Sequence, residues 1–161
     1  ITISVGISVD KPGVPVPALA ERSEEALRQS KQKRNNLTVF GETVDWQQFS
    51  DLQQKRDKLE AWQQQGVMGK ALIYRLNELI GMAEQERKLR ESKRPIELRD
   101  MSCLGWRSRL TYSDTRNVGK GLDKAARQAA LDEVVQELPD WLMRYDSKLK
   151  IALWQVLYNQ R

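Results

Sequence analysis

The sequence of 161 residues contains no histidine, which excludes a histidine general base, a histidine-containing catalytic triad and a histidine-ligated metal. Its single cysteine, Cys103, excludes an intrachain disulfide bond and a zinc site built from several cysteines. No apolar run approaches the roughly 20 residues of a membrane-spanning helix, and the start lacks the pattern of a signal peptide. These absences predict a soluble, cytoplasmic protein that has no membrane partner.

The composition is typical of a globular protein, with 40% hydrophobic and 30% charged residues. Lysine and arginine number 27 against 22 acidic residues, and the net charge of +5 permits nucleic-acid binding without requiring it. The sequence contains no P-loop, no GxGxxG motif and no carboxylate cluster with metal-ligand spacing. It therefore assigns no catalytic residue and no metal ligand.

Residues 1–44 predict a strand, a helix and a second strand. Apolar residues occupy every odd position from Ile1 to Val9, the alternation of a half-buried strand. A helix is expected to begin at Pro17 and to end in the polar run 31–36, before a second strand over 37–40. Residues 41–44 are expected to form an exit loop. Because two strands do not make an independent sheet, we expect this segment to belong to a larger protein.

Residues 45–161 predict a small helical bundle. Asp45 is the expected N-cap of the first of five helices, and Gly66 ends that helix. The others are expected over 67–94, from Pro95 to Gly119, over 122–138 and over 140–158, with Pro139 as a break. The charged stretch 84–94 is expected to project into solvent. The predicted fold is thus mostly α, divided into 1–44 and 45–161.

Two groups of residues are candidate sites. Lys31, in the basic run at the end of the first helix, is a candidate phosphate ligand, or alternatively part of a solvated helix end. Arg107, Arg109, Tyr112 and Arg116 are candidates to face RNA or a partner, since Arg109 and Arg116 lie two helical turns apart. In the alternative, these arginines cover the core or pair with acidic side chains.

Residues 1–41 resemble the last part of the palm-like nucleotidyl-cyclase domain of the GGDEF type. In that family a strand of the form T-x-S-x-G-I precedes a helix ending in A-K-x-x-G-[RK]-N and then a further strand. Here the strand is Thr2-Ile3-Ser4-Val5-Gly6-Ile7, and the helix ends in Ser30-Lys31-Gln32-Lys33-Arg34-Asn35-Asn36. Lys31 and Asn36 match the motif, whereas Arg34 and Asn35 replace its glycine and its basic residue.

The segment that follows is similar to one branch of this family, the large subunit of type III CRISPR effector complexes. The palm of that subunit commonly exits through a T-x-F-G-x-x-x-x-W segment, which corresponds here to residues 38–46. A C-terminal helical domain follows that palm. Part of that domain resembles residues 106–117, with Leu110, Tyr112, Arg116 and Asn117 as the matching positions.

The resemblance implies a function for the chain. Residues 1–44 would end an α+β palm of ferredoxin-like type, in which Lys31 would contact nucleotide phosphates. The full palm would bind ATP and a divalent metal through an acidic GGDD signature upstream of these residues, and the parent protein could be a cyclic oligoadenylate synthase. The implied partners are the other effector subunits, especially the small subunits, with guide RNA and target RNA. Two alternatives remain: the tail of a stand-alone GGDEF-type cyclase, and a helical RNA-binding or interaction module.

Overall fold

A computed structural model of the chain describes residues 2–159, so Ile1 of the predicted first strand lies outside the described residues. Three strands form one sheet: β1 (Val5–Ile7), β2 (Asn36–Val39) and β3 (Glu42–Asp45). Seven α-helices accompany them within these residues: α1 (Val16–Gln32), α2 (Trp46–Gln64), α3 (Lys70–Glu91), α4 (Met101–Leu104), α5 (Trp106–Asn117), α6 (Lys124–Tyr145) and α7 (Lys150–Asn159). The prediction of a mostly α fold with a strand-helix-strand unit is confirmed.

The sheet has the order β1-β2-β3. Strands β1 and β2 are parallel, with Val5 opposite Leu37, and α1 forms the crossover between them. Strand β3 pairs antiparallel with β2 and occupies the segment predicted as an exit loop, so that prediction is wrong. The reason is the turn, in which Phe40 and Gly41 have φ of 54° and 78°, the backbone of a two-residue hairpin turn.

Helix α1 packs closely on one face of the sheet. A Cβ atom at Gly6 would lie 2.1 Å from the backbone nitrogen of Leu27, so only glycine permits this approach. Thr38 is buried on β2, the strand beside Gly6, and its hydroxyl shares a 2.8 Å hydrogen bond with the hydroxyl of Thr43. Gly6 and its neighbour Thr38 therefore belong to the face of the sheet that meets α1.

Other sheet residues join the helical core. Leu37, Val39 and Val44 are buried in a single hydrophobic cluster with residues of α2, α3, α5, α6 and α7. Phe40 packs on α7, with its ring centroid 5.3 Å from that of Trp154. By contrast, three apolar side chains of the β1 segment stay exposed: Ile3, Ile7 and Val9, at 58%, 41% and 37%.

The helical part differs from prediction in three places. The end of α3 faces the core instead of projecting into solvent, because Ala83, Glu86 and Leu89 are buried. Pro95 starts no helix; a 3₁₀ turn over Leu98–Asp100 leads into α4 and α5, which Gly105 separates. Helix α6 continues through Pro139 to Tyr145, and the residue that follows, Asp146, has a φ of 50°.

The reason for the continuous α6 lies in the exposure around Pro139. A proline deprives the carbonyl four residues earlier of its helical hydrogen bond, and here that carbonyl belongs to Val135. Val135 is 37% exposed, so this lost bond falls on the solvent side of the helix.

Within residues 2–159, no helix combines the length and the apolar character of a membrane span.

Candidate functional site

A cleft of about 1060 Å³ lies along α1 on the side of the parallel strands. Helix α1 lines it from Glu21 to Lys31, and the carboxyl ends of β1 and β2 contribute Ile7, Thr38 and Phe40. Lys31, the predicted phosphate ligand, stands in the last turn of α1 with an exposed side chain. The structure therefore places Lys31 at one end of a cleft that is large enough for a small molecule.

The charges of the cleft are mixed, and most of them are paired. Arg22 forms an ion pair with Asp10, and Arg28 forms one with Glu25. Within the described part of the chain Lys31 makes no ion pair, so its ammonium group is the one cleft cation left available for an added anion. The neighbouring Lys33 lines a different cleft and is not among the residues that line the α1 cleft.

The turn after α1 adopts an unusual backbone. Arg34 and Asn35 have φ of 42° and 57°, in the left-handed region that glycine and asparagine favour. The Asn35 backbone N–H donates to the Ser4 hydroxyl at 3.1 Å, and its side-chain oxygen accepts from the Ile3 N–H at 3.4 Å. The turn is thereby tied to the segment that enters β1.

Of the four residues predicted on α5, Arg107 pairs with the buried carboxylate of Glu86, although its own side chain is 45% exposed. Its guanidinium lies 2.8 Å from a carboxylate oxygen of Glu86 and 4.4 Å from the ring centroid of Trp106. Glu86 also accepts hydrogen bonds from Arg90 and the Trp106 indole. Burial by itself raises the pKa of the Glu86 carboxyl, but these donors outweigh it and hold the pKa below its ordinary value. Arg107 therefore has a structural partner.

The other three α5 residues lie on the exposed side of the helix. Arg116 donates to the Tyr112 hydroxyl, and its guanidinium stands 5.3 Å from the Tyr112 ring centroid. Arg109 lies 3.5 Å from a carboxylate oxygen of Glu78 on α3. The structure thus joins Tyr112 to Arg116, and Arg109 to the neighbouring helix.

Helix α3 adds one residue that sequence reasoning missed. Tyr74 is 62% exposed, on the same side of α3 as Glu78. The signal was present in the sequence, because the apolar residues Leu72, Ile73 and Leu76 mark the inward side of this helix and leave position 74 outside it. A large aromatic residue on an outward face is a candidate contact residue.

Sequence reasoning also missed Asp114, a buried residue of α5. Its side chain is 1% exposed, and neither carboxylate oxygen has a hydrogen-bond partner among the described residues. Burial raises the pKa of Asp114 to about 7. Its sequence neighbours are polar, so no sequence signal marked it as buried.

The described residues hold no group of three or more acidic or cysteine side chains that could bind a metal ion. Comparisons of the chain with family models, with curated proteins and with solved structures find no match.

Proposed function

We propose that this chain is the C-terminal part of the large subunit of a type III CRISPR effector complex, a cytoplasmic RNA-guided antiviral assembly. Its strand-helix-strand unit would complete a nucleotide-binding palm. Its helices would dock on the small subunits near the duplex of guide RNA and target RNA. The observation that carries the proposal is the unpaired Lys31 at the end of the α1 cleft, in the motif that the palm family uses for phosphate.

The backbone after α1 supports the comparison with the palm family. The family motif has glycine at the position of Arg34, and Arg34 here adopts the positive φ that glycine favours. The substitution therefore preserves the direction in which the chain leaves α1. In a palm of this type, Lys31 would then stand in the same relation to β2 as the motif lysine.

The exposed side of β1 is a second support. Strand β1 pairs only with β2 among the described residues, and the side chains of Ile3 and Ile7 are uncovered. Edge strands with exposed apolar side chains are pairing surfaces for further strands. In the proposed protein, the remaining strands of the palm would cover this side of β1.

ATP and a divalent metal enter the proposal in different ways. The free ammonium of Lys31 fits a phosphate group, which would supply the charge-assisted contact that Lys31 lacks here. No cluster among residues 2–159 fits a metal. The acidic signature upstream would therefore have to hold the metal, and Lys31 would act only to bind and orient the triphosphate.

The test is the affinity of ATP for the full-length protein in its assembled complex. A charge-assisted hydrogen bond contributes roughly 1.5–3 kcal/mol, so Lys31→Ala is expected to weaken ATP binding about ten- to a hundredfold. Lys31→Arg is expected to recover only part of the affinity, because a planar guanidinium does not replace a point charge.

Lys33→Ala is the matched control, since it removes the same charge two residues away but outside the cleft. We expect this control to bind ATP like the wild type, and all variants to assemble normally with the small subunits. Unchanged ATP affinity in Lys31→Ala would contradict the nucleotide role. Failure of the wild-type protein to co-purify with small subunits would contradict the assembly role.

A further inference from the structure

Helices α3 and α5 form a common exposed surface, here called the α3–α5 surface: Tyr74 and Glu78 on α3, with Arg109, Tyr112 and Arg116 on α5. Two contacts fix how the helices meet. Arg109 lies against Glu78, and the Arg75 guanidinium donates to the Ser113 hydroxyl at 3.3 Å. Residues later in α3 thus contact residues earlier in α5, so the two helices run antiparallel.

This alignment places the two exposed tyrosines toward the same end of the helix pair. Tyr74 lies one turn before Glu78 on the same side of α3, and Tyr112 lies one turn after Arg109 on the same side of α5. Because Glu78 and Arg109 touch, both tyrosines extend from that contact toward the same end of the helix pair. Their side chains are 62% and 59% exposed. The surface therefore presents two exposed aromatic rings to solvent, one on each helix.

The charge of this surface is positive. The only acidic residue of α5 is Asp114, which is 1% exposed and contributes nothing to the outer side. Arg109 and Arg116 have side chains in solvent, and Glu78 is the acidic residue that opposes them. Arg116 also lies over the Tyr112 ring, an arrangement that holds a guanidinium beside an aromatic face.

Exposed aromatic rings beside arginines match the chemistry of unpaired bases. Bases of a single strand stack on aromatic side chains, and arginines bind the adjacent phosphates. A duplex conceals the faces of its bases and cannot use such rings. We infer that the α3–α5 surface binds single-stranded RNA, with bases stacked on Tyr74 and Tyr112 and phosphates on Arg109 and Arg116. The choice of RNA rests on the proposed function.

The first test measures binding of a fluorescent, unstructured RNA of about 12 nucleotides to the chain by anisotropy. Stacking on one ring contributes about 1–3 kcal/mol, so Tyr74→Ala and Tyr112→Ala are each expected to weaken binding about 5- to 150-fold. Tyr112→Phe is expected to bind like the wild type, whereas Tyr112→Leu should resemble Tyr112→Ala. Met143→Ala, on the exposed side of α6, is the control and should change nothing.

The second test measures the dependence of the same affinity on salt. Each lost phosphate contact lowers the slope of log K against log salt by about 0.7 for single strands, so Arg109→Ala and Arg116→Ala should each lower it by about that amount. Arg144→Ala is the matched control, because Arg144 is an exposed arginine on α6 paired with Asp140. Circular dichroism of every variant checks that the helices remain folded.

Several results would overturn the inference: absence of single-strand binding, equal affinity for a duplex of the same sequence, or wild-type affinity in Tyr112→Leu. If Tyr74→Ala reduced capture of the small subunits and left RNA binding intact, the surface would be a protein interface, which also overturns it. The RNA measurement does not involve Lys31. Loss of RNA binding with normal ATP binding therefore rejects this inference alone, and the converse rejects only the nucleotide role.

Discussion

The carboxyl group of Asp114 leaves water on folding without gaining a hydrogen-bond partner among the described residues. Its charged form is therefore disfavoured, and the pKa rises from 3.8 to about 7. Between these pH values the folded chain binds a proton at Asp114 that the unfolded chain has released. The free energy of unfolding must then fall as pH rises through this interval.

Replacing Asp114 by asparagine tests this linkage. In the wild type, the contribution of Asp114 should decrease from about pH 4 to about pH 7 by up to about 1.4 kcal/mol per pH unit. Asp114→Asn should lack this decrease. The difference between its free energy of unfolding and that of the wild type, both measured in urea, should therefore shift in favour of the variant as pH rises. Asp132→Asn, an exposed carboxylate of α6, serves as control. Parallel pH profiles of wild type and Asp114→Asn would contradict the argument.

Arg107 shows what sequence spacing leaves undecided at a single residue. Its position on α5 suggested a contact with RNA or a partner, but a sequence cannot show that Glu86 arrives from α3 to meet it. Once Glu86 is buried, its negative charge needs donors, and Arg107, Arg90 and Trp106 supply them. The RNA or partner role of Arg107 stays a prediction, while its role in satisfying a buried charge is observed.

At the scale of elements, local signals located most helices and missed one strand. Pro17 lies in the first turn of α1, and the Asp45 carboxylate caps α2 by accepting from the Gln48 N–H at 2.7 Å, as predicted. Strand β3 was missed because phenylalanine is a poor residue for positive φ, and Phe40 gave no turn signal. Its packing on Trp154 of α7 offsets that cost, and this contact is invisible in a local pattern.

The charged end of α3 was misjudged for a related reason. A run rich in arginine, lysine and glutamate suggests a solvated helix, yet Ala83, Glu86 and Leu89 repeat at helical spacing and are buried. The charged side chains between them pair within the helix and with its neighbours; Lys88, for example, pairs with Glu84. Their mutual pairing allows one side of the helix to pack.

The contact between β1 and α1 can be tested at Gly6. A methyl group there would overlap the Leu27 backbone, which cannot rotate away as a side chain could. Gly6→Ala should therefore displace α1 and lower the free energy of unfolding by about 1–3 kcal/mol, the usual cost of overpacking. Gly121→Ala, where the added methyl meets open space, should change it little. Equal urea midpoints for the two variants would show that α1 moves freely on the sheet.

For the molecule as a whole, the sheet and the helices share their core. Leu37, Val39 and Val44 lie in the same buried cluster as the helical residues, and Glu42 of β3 binds Lys150 of α7 at 3.3 Å. The division into residues 1–44 and 45–161 stays a prediction from sequence. The shared core indicates that the two segments stabilise each other.

A urea titration of the whole chain examines this coupling. Because the strands and helices bury the same side chains, far-ultraviolet circular dichroism and tryptophan fluorescence should report one coincident transition. The tryptophans suit this purpose, since all five lie on helices while the strands contain none. Two separated transitions would instead support independent folding of 45–161.

The ring contact of Phe40 with Trp154 and Tyr158 also bears on how the chain is made. More than 100 residues separate the hairpin turn from these two partners, and the ribosome adds about 5–20 residues each second. Roughly 6–24 s therefore pass between the synthesis of the turn and the synthesis of the aromatic side chains that cover it. During that interval Phe40 is open to chaperones and to neighbouring nascent chains, and the hairpin turn gains its aromatic cover only after translation has reached α7.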